Sequence, residues 1–215
     1  MTYTLEVTLL SDTTFASGDG LAGYVDTEVE YDHQLGVPII RGRTLKGLLT
    51  EECANILSVL GNPSRLTVAA KTLFGTPGES ADHAGILRIG NAYPTGVDVE
   101  ELRRVVRTAQ QTAEVLSWFT TVRSQTSIGD NGAPEKGSLR SSRVVVRETV
   151  FSAPVELLGG HNREALLLLV ACARGIKRGG QSRNRGRGRL NVMLKGANVP
   201  TLDDFALWVK QEVQR

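Results

Sequence analysis

The order in which hydrophobic periodicity changes along the chain restricts its fold more than any other feature. In "YTLEVTLL", Tyr3, Leu5, Val7 and Leu9 alternate with Thr4, Glu6 and Thr8, the period of a half-buried strand. The period then becomes helical in "LKGLLTEECANILSVLG". Here Leu45, Leu48, Leu49, Ala54, Ile56 and Leu57 form an apolar stripe that Thr44 opens as N-cap and Gly61 ends. "ILRIGNAY" predicts a second strand. After a long intervening stretch, "RVVVRETVFSAPVELLG" reads as a third, with Pro154 suggesting an edge or a bulge. "NREALLLLVACARG", capped by Asn162 and closed by Gly175, is the most apolar helix, and "GRLNVML" supplies a last short strand. Strand, helix, strand, insertion, strand, helix, strand is the order of an α+β ferredoxin-like or RNA-recognition-motif fold. In that fold two helices cover one face of an antiparallel four-stranded sheet.

The remaining segments read as additions to this frame. "GNPSRLTVAAKTLFGTPGESADHAG" reads as a loop. "DVEELRRVVRTAQQTAEVLSWF" reads as one helix opened by Asp98 and Glu101 in capping-box spacing. Residues 120–142 combine glycine, proline and basic residues without apolar repetition and read as a protruding hairpin or a mobile loop. "TLDDFALWVKQEVQR" predicts an amphipathic terminal helix begun at Thr201. A chain of 215 residues, 40% of them hydrophobic, can bury one sizeable core, so a single globular unit is expected. It has no apolar run of about 18 residues and no basic head before an apolar segment, so a soluble, cytoplasmic protein is expected. Cys53 and Cys172 have neither the number nor the spacing of a disulfide framework or zinc site and read as buried, reduced thiols.

Lys and Arg total 25 against 23 Asp and Glu, so placement rather than net charge carries the information. In "RGIKRGGQSRNRGRGRL", residues 174–190, every charged side chain is basic and glycines are interleaved. Glycines let backbone amides approach an anion, and arginines fork onto phosphate oxygens, so the stretch reads as a nucleic-acid contact; the alternative is a solvated basic loop. "RGRTLKG" gathers Arg41, Arg43 and Lys46 at a helix start, where cations oppose the dipole. A phosphate sharing the site would remove the conflict; otherwise these are three tolerated surface charges. In "VDTEVEYD", Asp26, Glu28, Glu30 and Asp32 recur every second residue. An extended strand would set all four on one face, either a solvated face deterring edge pairing or one facing a phosphate chain or metal ion.

No Walker or Rossmann glycine pattern is present. With aromatics at 5%, the sheet lacks the platform on which RNA-recognition motifs stack bases, and Trp118, Phe119 and Trp208 read as packing residues. His33, His83 and His161 fall in loops without metal-ligand spacing; only His33, beside the acidic segment, is placed to exchange a proton there.

Taken in order, "GDGLAGYVDTEV", "GVPIIRGRTLKGLL", "KTLFG" with "ILRIGNAY", "GSLRSSRVVVRETVFSAPVEL" and "GGQSRNRGRGRLNV" form a series. With it the sequence resembles the RAMP superfamily of CRISPR proteins, most closely the repeated backbone subunit of type III CRISPR effector complexes. The resemblance implies a modified RNA-recognition-motif fold over residues 1–215, with an insertion at about 96–142 that includes a thumb at about 120–142. It implies as partners CRISPR RNA, complementary target RNA, other type III effector subunits and copies of the chain itself. It also implies RNA-guided, metal-dependent cleavage of target RNA with a divalent cation, Mg2+. "GYVD" places Asp26 at the family's catalytic and metal-binding aspartate. Carried over, Arg41, Arg43, Thr44 and Lys46 contact guide phosphates, as do Gly179, Gly180, Arg183, Arg185 and Arg187 of the glycine loop. Arg123, Arg140 and Arg143 act in or beside the thumb. Three alternatives stay open: a non-cleaving guide-binding scaffold, a nuclease processing precursor CRISPR RNA through His33, and an unrelated RNA-binding protein with a basic loop.

Overall fold

The computed structural model describes residues 2–18, 25–76, 84–128, 132–133, 135, 137–160 and 162–213. The alternating segment forms β1 (Thr2–Leu9), whose Tyr3, Leu5, Val7 and Leu9 are buried as their period requires. It is followed by α1 (Gly42–Leu60), α2 (Ser64–Phe74), β2 (Leu87–Ile89) and β3 (Tyr93–Pro94). Next come α3 (Val99–Val105), α4 (Ala109–Phe119), β4 (Thr120–Gln125), β5 (Arg140–Val145) and β6 (Val150–Leu157). The chain closes with α5 (Arg163–Gly175), β7 (Leu190–Lys195) and α6 (Leu202–Val213). The main sheet is antiparallel with strand order β2-β6-β1-β7, and β3 extends the pairing of β6. Counting only β1, β2, β6 and β7, this is the ferredoxin-like order expected from the periodicity. The segment between β2 and β6 carries α3, α4 and the separate β4-β5 hairpin.

Helix α5 is buried along nearly its whole length, packing on α1, α2, α6 and β7. Leu166, Leu168 and Leu169 from α5 are fully buried, as are Leu5, Leu9, Leu49 and Phe151. Each such side chain contributes about 1.5–3 kcal/mol relative to exposure. Asn162 caps α5, its side chain accepting from the Ala165 amide at 2.9 Å. Thr201 opens α6 by accepting from the Asp204 amide, while Asp204 accepts from the Thr201 amide at 2.8 Å. Cys53 and Cys172 are buried and free; the neighbouring Cys53 and burial hold the Cys172 thiol well above the ordinary thiol range.

Several local expectations change. Helix α1 begins at Gly42, not at Thr44, because Asn91 Oδ1 accepts the Gly42 amide at 3.0 Å and Arg41 takes the N-cap position. The supposed loop after Gly61 contains α2, whose Leu66, Ala69 and Leu73 share one buried face. The single helix expected before residue 120 is two, because Thr108 and Gln111 form a complete capping box that restarts the chain as α4. "RVVVRETVF" is not one strand: Arg143–Val145 belongs to β5, and a turn through Arg147–Thr149, with Glu148 at φ 70, precedes β6. Strand β6 lies inside the sheet, not at an edge. Pro154 is tolerated because it faces the break between β2 and β3, where Gly90 donates to its carbonyl at 2.9 Å. Trp118, expected to pack, is 62% exposed, whereas Trp208 is buried. Among the described residues no helix is long and apolar enough to cross a membrane.

Candidate nucleic-acid interface

The acidic segment is not a solvated strand face. Residues 25–32 make only isolated bridges, among them Val29 with Ala16, Thr27 with Ser142 and Tyr31 with Pro38, and each carboxylate has a separate role. Asp32 turns the chain by accepting the Gln34 amide at 2.9 Å. Glu30 is buried and meets Arg41 Nη2 at 2.5 Å. Glu28, also buried, meets Arg143 Nε at 2.8 Å and accepts from the Val29 amide at 2.9 Å. Of the four, Asp26 alone is exposed. Its Oδ2 accepts from the Ser141 amide at 2.7 Å and the Ser141 hydroxyl at 3.4 Å, and Arg140 Nη1 stands 3.8 Å from Oδ1.

Three of the clefts beside the basic glycine loop hold most of the candidate residues. The first, about 220 Å³, lies at the start of α1 and is lined by Glu30, Arg41, Arg43, Thr44, Gly180 and Gln181 together with Thr14, Phe15 and Ala16. The second, about 490 Å³, places Asp26, Arg140, Gln125 and Ser142 opposite Gln181, Ser182 and Arg185. The third, about 600 Å³, gathers Arg123, Arg147, Arg185 and Arg187 around Asp12. Gln181 lines the first and second, and Arg185 the second and third, so the three clefts are neighbours along the loop. Arg123 is oriented in the third by Asp12, whose Oδ2 accepts from Nε at 2.9 Å.

The structure brings Arg41, Arg43, Thr44 and Gly180 together, sets Asp26 with Arg140 and Arg185, and sets Arg123 with Arg185 and Arg187. The other candidates have contacts of their own within the chain. Lys46 reaches the Leu87 carbonyl at 3.4 Å, and burial, with Arg88 nearby, lowers its pKa. Arg183 pairs with Glu51 at 3.1 Å on the α1 side of the loop. Arg143 is mostly buried against Glu28. Gly179 is buried and its amide donates to the Gly188 carbonyl at 2.9 Å, so this glycine serves loop packing. The dipole conflict at α1 is met within the chain, because Glu30 supplies the anion for Arg41. Arg43 is exposed and makes no ion pair among the described residues. His33 stacks near Tyr31, with ring centroids 4.5 Å apart, and lines none of the three clefts; His83 and His161 lie outside the described residues. Sequence reasoning passed over Gln181, Ser141, Arg147 and Asp12. Gln181 alone carried a signal, as the polar residue directly after the paired glycines.

No group of three His, Cys, Asp or Glu side chains that could hold a metal ion occurs among the described residues. Asp26 offers one oxygen free of Ser141. That donor set fits a Mg2+ ion taking one carboxylate from the protein and its other oxygens from phosphate and water.

A ferredoxin-like domain with an inserted hairpin and basic clefts beside its glycine loop is a variant of the RNA-recognition-motif fold. The chain belongs to the RAMP superfamily, whose model matches residues 6–191. No curated protein matches the sequence. Among solved structures, it is similar to a chain of the type III-B Cmr-beta complex bound to cognate target RNA. The two share 11% identity with a TM-score of 0.65, over 90% of this chain and 97% of that one. In the apo state of Cmr-beta the corresponding values are 14% and 0.64, over 93% and 99%. A chain of a type IV-B CRISPR complex matches at 13% and 0.54, over 98% of both. At these identities the likeness is one of fold.

Proposed function

We propose that this chain is a backbone subunit of a type III CRISPR effector that binds CRISPR RNA along these clefts and cleaves complementary target RNA at Asp26. The observation that supports the reading is the adjacency of three clefts that share Gln181 and Arg185 as lining, with the exposed Asp26 carboxylate in the middle one. Contacts to the sugar–phosphate chain position a guide without reading its sequence, and base pairing supplies specificity. Arg43, Arg185 and Arg187 are the cations placed for those contacts. The type III assignment follows the sequence motifs, and the fold is shared with chains of type III-B and type IV-B complexes alike.

For cleavage, a target nucleotide displaced into the Asp26 cleft brings its 2'-hydroxyl in line with the adjacent phosphate. Asp26 Oδ1 accepts the hydroxyl proton, the 2'-oxygen bonds to phosphorus, and the bond to the 5'-oxygen breaks. The leaving oxygen takes a proton from water, giving a 2',3'-cyclic phosphate and a 5'-hydroxyl. Arg140 and Arg185 face the developing negative charge. In place of accepting that proton, Asp26 Oδ1 would hold Mg2+, which would supply charge stabilisation for the reacting phosphate. Ser141 fixes the carboxylate throughout.

The guide-binding scaffold without cleavage is the second reading. It is favoured by the same Ser141 contact, which gives Asp26 a structural role in tying residues 25–28 to β5. The deciding experiment is cleavage of end-labelled complementary RNA by the reconstituted complex with Mg2+, comparing wild type and Asp26→Ala while following guide binding. Regularly spaced cuts that vanish in the variant with guide binding retained support catalysis at Asp26. Guide binding without cuts in either protein supports the scaffold, and equal cutting moves the chemistry elsewhere.

A further inference from the structure

The cleft at the start of α1 has a composition that a phosphate site alone does not account for. Its cationic wall is Arg41 and Arg43, yet Glu30 stands in the same wall, with its side chain only 7% exposed. A carboxylate within reach of a bound phosphate opposes binding; Arg41 offsets that charge in part, and a donor on the ligand can meet the rest. Glu30 Oε1 accepts from Arg41 Nη2 at 2.5 Å, and this is the side chain's one hydrogen bond among the described residues. Oε2 accepts no hydrogen bond among the described residues, and Glu30 lines the cleft. The Glu30 backbone is held on both sides, since its amide donates to the Phe15 carbonyl at 2.7 Å and its carbonyl accepts from the Ile39 amide at 2.9 Å. The cleft thus presents cations for an anion beside a carboxylate acceptor for a neutral donor.

A ribonucleotide unit matches both, with its phosphate on Arg43 and its 2'-hydroxyl, absent from DNA, donating to the carboxylate. We infer that Glu30 in the α1 cleft is a ribose 2'-hydroxyl acceptor that makes the chain prefer RNA over DNA of the same sequence. The inference rests on the proposed guide-binding reading and assigns the sugar chemistry of that site.

The test measures fluorescence anisotropy of the full chain with labelled single-stranded RNA, DNA of the same sequence, and 2'-fluoro RNA. The last keeps the sugar pucker of RNA but cannot donate from the 2' position. A hydrogen bond to a charged group supports a preference for RNA over both other probes of roughly tenfold or more. In Glu30→Gln the preference shrinks severalfold while DNA affinity is unchanged or higher, because a negative charge has left the phosphate path. If Glu30 only orients Arg41, Glu30→Gln weakens RNA and DNA alike and the ratio stays fixed, which overturns the inference. Equal binding of all three probes by wild type also overturns it, with guide binding intact and no variant required. Failure of wild type to bind any probe at low salt overturns the guide-binding reading and the inference together.

Discussion

Arg143 Nε lies 2.8 Å from Glu28 Oε1 in a nearly water-free setting, with the two side chains 15% and 5% exposed. Glu28 Oε2 is buried with no hydrogen-bond partner among the described residues. The pair joins the segment after Asp26 to β5, so the hairpin base and the candidate catalytic aspartate are held by one buried ion pair. Removing one partner strands a charge, and such losses cost about 3–5 kcal/mol. Arg143→Met is therefore expected to lower stability in urea unfolding by that order. The Glu28→Leu, Arg143→Met double variant should recover most of it, since replacing both charges with apolar groups removes the desolvation cost.

Arg43, Arg185 and Arg183 look alike in sequence and differ in partners. Arg43 and Arg185 make no ion pair among the described residues, whereas Arg183 is held by Glu51 at 3.1 Å. Arg43→Ala or Arg185→Ala should lower the slope of log affinity against log salt for single-stranded RNA by about 0.7 for each phosphate that the variant no longer neutralises. Arg183→Ala should leave that slope unchanged. Titrations at several salt concentrations distinguish the three.

Gly188 and Gly186 separate close approach from open loop. A methyl at Gly188, φ +70, would lie 2.1 Å from the Gly179 carbonyl oxygen, while one at Gly186, φ +82, meets nothing within 4 Å. Gly186→Ala should cost about 1–2 kcal/mol, the left-handed penalty alone. Gly188→Ala should cost clearly more in chemical denaturation and weaken RNA binding, because the loop's inner turn must open.

The cap of α6 gives a pH dependence of known sign. Hydrogen bonds from the Thr201 amide and then its hydroxyl hold the Asp204 carboxyl below its ordinary value of 3.8. A depressed carboxyl stabilises the fold above its unfolded value, and that contribution is lost as pH falls through the folded value. Asp204→Asn should therefore lower the melting temperature slightly at neutral pH, and the gap should close well below pH 3.8. Melting curves at neutral and strongly acidic pH check this.

The hydroxyl-bearing cap also illustrates what is legible locally. Alternation in β1, the Asn162 cap of α5 and the Thr201 start of α6 are interactions within a few residues, so the sequence contains both partners side by side. The restart at α4 was equally local: Thr108 and Gln111 stand three apart, but an apolar stripe running across them reads as one helix. Helix α2 has its stripe at Leu66, Ala69 and Leu73, masked by the turn-forming Asn62, Pro63 and Gly75 around it.

Sequence by itself determined the order of the four core strands and their two covering helices, and with it the ferredoxin-like sheet, because that order follows from short-range periodicity and capping. Only the tertiary structure decided what the four spaced acids do. Asp26 meets Ser141 at a separation of 115 residues, Glu28 meets Arg143, and Glu30 turns to Arg41 inside the α1 cleft. A period of two places side chains on a face, but which charge waits there depends on how distant segments pack, and ion pairing has no sequence period to reveal it.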